Sequence, residues 1–184
     1  MNFKKFDIQG PLLIEPVIHG DHRGYFLESY RHDFFCKQVR DIIWVQDNES
    51  LSKRGVLRGL HYQLPPYSQS KLVRVISGKV LDVIVDIRPA SPTFGKHISV
   101  ELDDVTKKML FVPQGFAHGF VVLSDTAIFA YKVDNYYSKE SDRGIKFDDP
   151  ALGINWLLKA SELSLSEKDL KLPLLSQADL KGFR

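Results

Sequence analysis

The stretch Val56-Leu57-Arg58-Gly59-Leu60-His61-Tyr62-Gln63 sets one histidine among apolar neighbours, three residues after an arginine. Read as a strand, its side chains alternate, which predicts His61 on one face with Leu57, Gly59 and Gln63. An imidazole lining the inside of a barrel, with a cation nearby, is suited to carrying protons at neutral pH. Three further segments add polar chemistry. Gln46-Asp47-Asn48-Glu49-Ser50 is rich in hydrogen-bonding groups and, taken alone, reads as a solvated loop. Pro113-Gln114-Gly115-Phe116-Ala117-His118-Gly119-Phe120 reads as a turn between strands that carries a second histidine. Phe129-Ala130-Tyr131-Lys132-Val133 reads as a strand in which Tyr131 is an ordinary strand aromatic. Each segment alone has a structural explanation; their combination draws attention to His61.

Several standard chemistries lack their residues. The chain has no G-x-x-x-x-G-K-[ST] or G-x-G-x-x-G loop for phosphates and no G-x-S-x-G elbow for a serine nucleophile. Cys36 is the one cysteine, so no intrachain disulfide forms; it sits beside Phe34 and Phe35 and reads as packing rather than as a nucleophile. His19 and His22 fall in a Gly-Asp turn. Spacing alone leaves a His61/His118/carboxylate metal site open, but with no dense ligand cluster the expectation is no required metal. Lys+Arg 25 against Asp+Glu 23 gives a net charge of +2 with no dense basic run, so no nucleic-acid partner is expected. The start, Met1-Asn2-Phe3-Lys4-Lys5-Phe6, lacks the apolar core of a signal peptide, and no apolar run approaches membrane-spanning length. A cytoplasmic protein with no membrane partner is expected.

Positioning these groups falls to short strands. Residues 73–76, 79–87, 98–102, 109–112, 120–123 and 127–133 alternate or run apolar, and Gly, Pro and Asp clusters break them. Ser77-Gly78 predicts a tight hairpin between the first two. In the second, Leu81, Val83, Val85 and Ile87 share a face opposite Asp82 and Asp86. Close spacing without long helical stretches favours an all-β sandwich or barrel. Helix is expected only at the margins, over 30–40 with Phe34, Phe35 and Val39 inward, and after the capping sequence Ser166-Glu167-Lys168-Asp169. The 184 residues contain no repeat or linker and are expected to form a single domain over 1–184.

The four segments, in this order, resemble the dTDP-4-dehydrorhamnose 3,5-epimerase family of nucleotide-sugar epimerases. Two further stretches carry the same resemblance, Gly20-Asp21-His22-Arg23-Gly24-Tyr25-Phe26-Leu27-Glu28-Ser29-Tyr30 and Leu165-Ser166-Glu167-Lys168-Asp169. The resemblance runs from about 14 to 180. The resemblance implies a cupin-type jelly roll with a few short peripheral helices, no cofactor, and a homodimer with exchanged N-terminal strands. The implied substrate is a dTDP-linked 4-keto-6-deoxyhexose inverted at C3 and C5. By motif, His61 is then the base, Asp169 its partner, Tyr131 the acid and Lys71 the stabiliser of the enolate oxygen. Arg23, Phe26, Glu28, Gln46, Asp47, Asn48, Arg58, His118, Asp142 and Lys168 correspond to substrate-binding positions, with Arg23, Phe26 and Glu28 serving the neighbouring subunit. Two positions depart from the family pattern. Asp142 stands where relatives often carry glutamate, and Gln114 replaces a common glutamate, which predicts less negative surroundings for His118. A mono-epimerase acting at C3 or C5 alone is the nearest alternative; a metal-dependent cupin enzyme and a non-catalytic sugar-binding barrel are the others.

Overall fold

A computed structural model describes residues 1–183. The chain runs β1 (Asn2–Lys5), β2 (Leu12–Glu15), β3 (His19–Asp21), β4 (Gly24–Phe26), α1 (His32–Gln38), β5 (Gln46–Lys53) and β6 (Leu57–Gln63). It continues through β7 (Lys71–Ser77), β8 (Lys79–Asp86), β9 (His97–Asp103), β10 (Met109–Val112), β11 (Phe116–Val122), β12 (Thr126–Val133), β13 (Asp142–Gly144) and α2 (Glu167–Leu170). Among the described residues two large antiparallel sheets form, one ordered β1-β2-β10-β7-β12-β5 and the other β13-β6-β11-β8-β9, beside the two-stranded β3-β4 hairpin. The architecture is the all-β, cupin-type jelly roll expected, with helix confined to short peripheral pieces.

The central strands β8 and β11 of the five-stranded sheet are buried on both faces. Along β8, Val80 and Ile84 face the other sheet in a core that also contains Val73, Leu110, Phe120 and Phe129. Leu81, Val83, Val85 and Ile87 face the opposite way, under Ile145, Leu152, Trp156 and Leu175 from the C-terminal segment. Asp82 and Asp86 therefore lie on the face toward the other sheet, both fully buried. Burying a Val, Leu or Ile side chain contributes about 1.5–3 kcal/mol, so two apolar coats hold β8 and β11 as the rigid centre of the molecule. The outer side of the six-stranded sheet is covered at one end by α1. There Phe35 meets Tyr30, Trp44 and Phe111 at ring separations of 5.6, 5.7 and 5.6 Å.

Three local expectations change. Ser77-Gly78 is not a hairpin turn: β7 pairs with β10 and β12, β8 with β9 and β11, so the chain crosses between sheets there. Gly78 has φ +83, and a Cβ would stand 2.1 Å from the Thr126 carbonyl oxygen. A sheet corner thus demands the same small, positive-φ residue as a hairpin. The Gln46–Ser50 segment is not a loop but most of the edge strand β5, paired along its length with β12. His118 lies within β11, opposite His61, rather than in a turn.

Candidate active site

His61 owes its direction to an irregularity in β6. His118 stands opposite His61, and Phe120 opposite Arg58, so β6 carries one residue more than β11 over this interval. Such a bulge re-aims the side chains beyond it. Leu60 and Tyr62 pack in the C-terminal core, whereas Arg58 and His61, three residues apart, both line a cavity between the sheets. Simple alternation, which would put Arg58 and His61 on opposite faces, therefore fails across the bulge. Gly59 makes the bulge possible: its φ is +135, and a Cβ would lie 2.4 Å from the Cα of Gly119.

The cavity has a volume of about 540 Å³, within the range of small-ligand sites. One wall, from the five-stranded sheet, supplies Arg58 and His61 on β6 and His118 on β11. The facing wall, from the six-stranded sheet, supplies Lys71 on β7, Tyr131 on β12 and Asn48 on β5. Period-2 alternation explains these choices. Lys71 lies inward with Val73 and Val75, and Tyr131 with Phe129. The segment from Ser164 through Asp169 closes one side.

Asp169 reaches His61 from this closing segment. Ser166 caps α2, its Oγ accepting from the Asp169 backbone N–H at 3.1 Å. The Asp169 side chain is thereby free of capping and lies 2.7 Å from His61 Nε2. Asp169 is buried. Burial alone would raise its carboxyl, but the bonds from His61 and Ser166 and the charges of His61 and Lys168 outweigh this and hold it below its ordinary value. With Nε2–H donating to the carboxylate, Nδ1 is the ring nitrogen left with a free lone pair.

The other polar groups balance one another. Loss of water around the Lys71 ammonium pulls its pKa down to about 8, against the opposing charges of Asp82 and Asp142. Burial likewise lowers His118, opposed by Asp82, whose Oδ2 lies 2.9 Å from His118 Nε2. Asp82 was not anticipated from the sequence. It supplies the acidic neighbour of His118 that Gln114 does not: Gln114 instead accepts from Ser68 and donates to Asp134. Asp82 Oδ1 is buried without a hydrogen-bond partner among the described residues, an expensive arrangement whose field falls on Lys71 and His118. Burial raises the Tyr131 phenol, partly countered by Arg58. Phe120 and Phe129 stack at 4.2 Å beneath the polar groups and complete an apolar floor.

Of the positions singled out from the sequence, His61, Lys71, Tyr131, Asp169, Arg58, Asn48, His118 and Lys168 meet in this one cavity. Gln46 adjoins it, donating to Asn48 Oδ1 at 2.7 Å. Asp142 stands behind Lys168, accepting from its ammonium and from the Tyr137 hydroxyl. Asp47 is not brought in: β5 alternation turns it outward, where it pairs with Lys132 at 2.9 Å. Arg23 and Phe26 lie on the β3–β4 hairpin, which pairs with no other strand among the described residues. Arg23 bonds Asp21 there, Phe26 is exposed, and Glu28 is exposed just beyond.

A histidine–aspartate couple and a phenol share one ligand-sized cavity of this jelly roll, an arrangement chemically suited to moving protons. The chain belongs to the dTDP-4-dehydrorhamnose 3,5-epimerase family, whose model matches residues 5–177. The Shigella flexneri enzyme of that name is 49% identical over 99% of this chain and 94% of its own length. A crystal structure of the Legionella pneumophila dTDP-6-deoxy-D-glucose-3,5-epimerase, in complex with dTDP-4-keto-L-rhamnose, is 46% identical. It matches with a TM-score of 0.93 over 97% of this chain and 94% of that one. A 3'-monoepimerase from Streptomyces bikiniensis, in complex with dTDP-quinovose, matches at 35% identity and a TM-score of 0.88, over 93% of this chain and 86% of that one.

Proposed function

We propose that this protein inverts C3 and C5 of dTDP-4-dehydro-6-deoxy-D-glucose to give dTDP-4-dehydro-L-rhamnose, without a cofactor. The observation that carries the reading is the entry of His61 and Tyr131 into one cavity from opposite sheets. The C4 ketone acidifies the hydrogens on C3 and C5. His61 Nδ1 takes one of these protons, and the electron pair moves onto the C4 oxygen as an enolate. The Lys71 ammonium stabilises that oxygen. Tyr131 then gives its phenolic proton to the opposite face of the carbon, which inverts it. Imidazolium and phenolate return to their starting states by exchange with solvent, and the cycle repeats at the second carbon.

Arg58 and Lys168 suit the diphosphate, Asp142 holding Lys168 in place. Gln46, Asn48 and His118 suit the sugar. Arg23, Phe26 and Glu28 belong, on this reading, to the site of a second copy, reached by the β3–β4 hairpin in a homodimer with exchanged N-terminal strands. The hairpin's lack of other strand partners among the described residues and its exposed Tyr25 and Phe26 support that arrangement. So does the groove of about 300 Å³ on the outer face of the six-stranded sheet, where Asp47 emerges. The compartment proposed is the cytoplasm; no helix among the described residues is long and apolar enough to cross a membrane.

The deciding experiment incubates enzyme and 4-keto substrate in D2O and reads label positions and product configuration by NMR. Deuterium at both C3 and C5 with the L-rhamno configuration is expected. Label and inversion at C3 alone would assign the mono-epimerase reading, which the Streptomyces bikiniensis likeness keeps in view; no label would leave a binding protein. The role of Lys71 adds a pH dependence. Its cation is present below about 8 and is lost as pH rises through that value. Accordingly kcat/KM should fall on the alkaline side with an apparent pKa near 8, and Lys71→Arg, which stays charged, should shift that limb upward. An unchanged limb would remove Lys71 from the enolate.

A further inference from the structure

Away from the cavity, α1 brings together three metal-ligating side chains that the epimerisation does not use. His32 and Cys36 are four residues apart, so they share one face of the helix. Asp41 folds back to them from the segment between α1 and β5. Cys36 Sγ lies 3.4 Å from Asp41 Oδ1 and 3.6 Å from His32 Nε2, and His32 Nε2 lies 3.8 Å from Asp41 Oδ1. The three donors lie within 4.8 Å of one another. Ideal tetrahedral zinc, with bonds of about 2.3 Å to sulfur and about 2.0–2.2 Å to nitrogen and oxygen, has ligand–ligand edges of roughly 3.4–3.6 Å. The cluster has nearly these edges already.

We propose that His32, Cys36 and Asp41 form a binding site for a zinc-class divalent cation, with a solvent molecule in the fourth position. Cys36 Sγ is almost equidistant from the two ring nitrogens, 3.5 Å from Nδ1 and 3.6 Å from Nε2, so it lies against the ring rather than along either lone pair, and the exposed imidazole turns to meet the ion. Tyr30 decides between them: its hydroxyl lies 3.0 Å from Nδ1. Nδ1 is thereby committed to an orienting hydrogen bond of the kind ligating histidines use, and Nε2 is left for the metal. The donor set, one thiolate, one imidazole and one carboxylate, suits zinc rather than calcium or magnesium, which take oxygen. Binding forms the Zn–S bond as the thiol releases its proton to solvent. The ion would tie α1 to the following segment over the cluster of Phe35, Tyr30 and Trp44, stabilising that corner of the fold.

Because Cys36 is the only cysteine, a thiolate-to-metal charge-transfer band reports this site alone. Untagged, reduced full-length protein is titrated with Co2+ and then Zn2+ while absorption is followed. One equivalent of Co2+ should produce the band, Zn2+ should displace it, and affinity should rise with pH because about one proton is released. Cys36→Ser should abolish the band. Asp41→Asn and His32→Ala should each weaken binding tenfold or more, and Tyr30→Phe about tenfold. The Asp41 and His32 side chains are 83% and 60% exposed, so these two variants test ligation without disturbing the core. Absence of the band, or a band that Asp41→Asn and His32→Ala both leave unchanged, would overturn the site.

Discussion

Replacing His61 with alanine abolishes solvent-deuterium uptake at C3 and at C5 while the protein still binds dTDP. On the proposed mechanism one imidazole serves both carbons, so both exchanges should disappear together, with kcat reduced by about 10²–10⁴-fold, the usual share of a positioned base. Binding survives because Arg58 and Lys168 are separate side chains of the cavity. Stability changes in a definite direction. His61 is partly exposed, so little packing is lost, but the buried Asp169 carboxylate loses its partner. Burial tends to raise that carboxyl, and the His61 bond is the largest effect opposing it. The bond contributes stability that is fully present above the carboxyl's unfolded pKa and is lost as pH falls through its lower folded value. The variant should therefore be less stable than the parent near neutrality, by about 1–3 kcal/mol, and the difference should shrink in acid. Thermal melts at several pH values, beside NMR exchange, separate loss of the base from loss of the fold. Exchange at either carbon at the parental rate would show that another group is the base.

The frame of the molecule was legible because its signal is local. Apolar runs at 79–87 and 109–112 became strands close to their expected bounds, and Ser166 capped a short helix as its sequence implied. Features set by contact across the fold were not. β5 escaped recognition because its inward residues are Gln46, Asn48, Ser50 and Ser52: the strand turns polar side chains toward the cavity side instead of apolar ones toward a core. The crossing at Gly78 resembled a hairpin because local sequence records the bend and not which strand pairs next. The bulge at Gly59 likewise depends on Gly119 across the sheet, 60 residues away. Asp82 left a usable trace, a carboxylate in the otherwise apolar run Val80-Leu81-Asp82-Val83-Ile84-Val85. A charge there must find a partner or a purpose. His118 and the field over Lys71 supply both. The proposed catalytic residues were legible mainly through resemblance, since the pairing of His61 with Asp169 spans 108 positions of sequence.

Replacing Tyr131 with phenylalanine separates proton removal from inversion. The variant should fold as the parent does. Among the described residues the Tyr131 hydroxyl makes no hydrogen bond, so its loss orphans no partner, and the ring keeps its place 6.1 Å from Phe129. His61 still removes a proton, exchanges it with solvent and returns deuterium to the same face. Wash-in with retained configuration therefore continues while the inverted product falls by about 10²–10⁴-fold. The pH profile distinguishes this outcome from a general loss of activity. Burial raises the Tyr131 phenol, so the acid stays protonated past the point near 8 where Lys71 loses its charge. The alkaline limb then belongs to the enolate stabiliser rather than to the acid. Residual exchange in Tyr131→Phe should fall through the same pH as turnover in the parent. Inversion at the parental rate would place the acid elsewhere on the facing wall, and a displaced limb would mean that the phenol itself sets it.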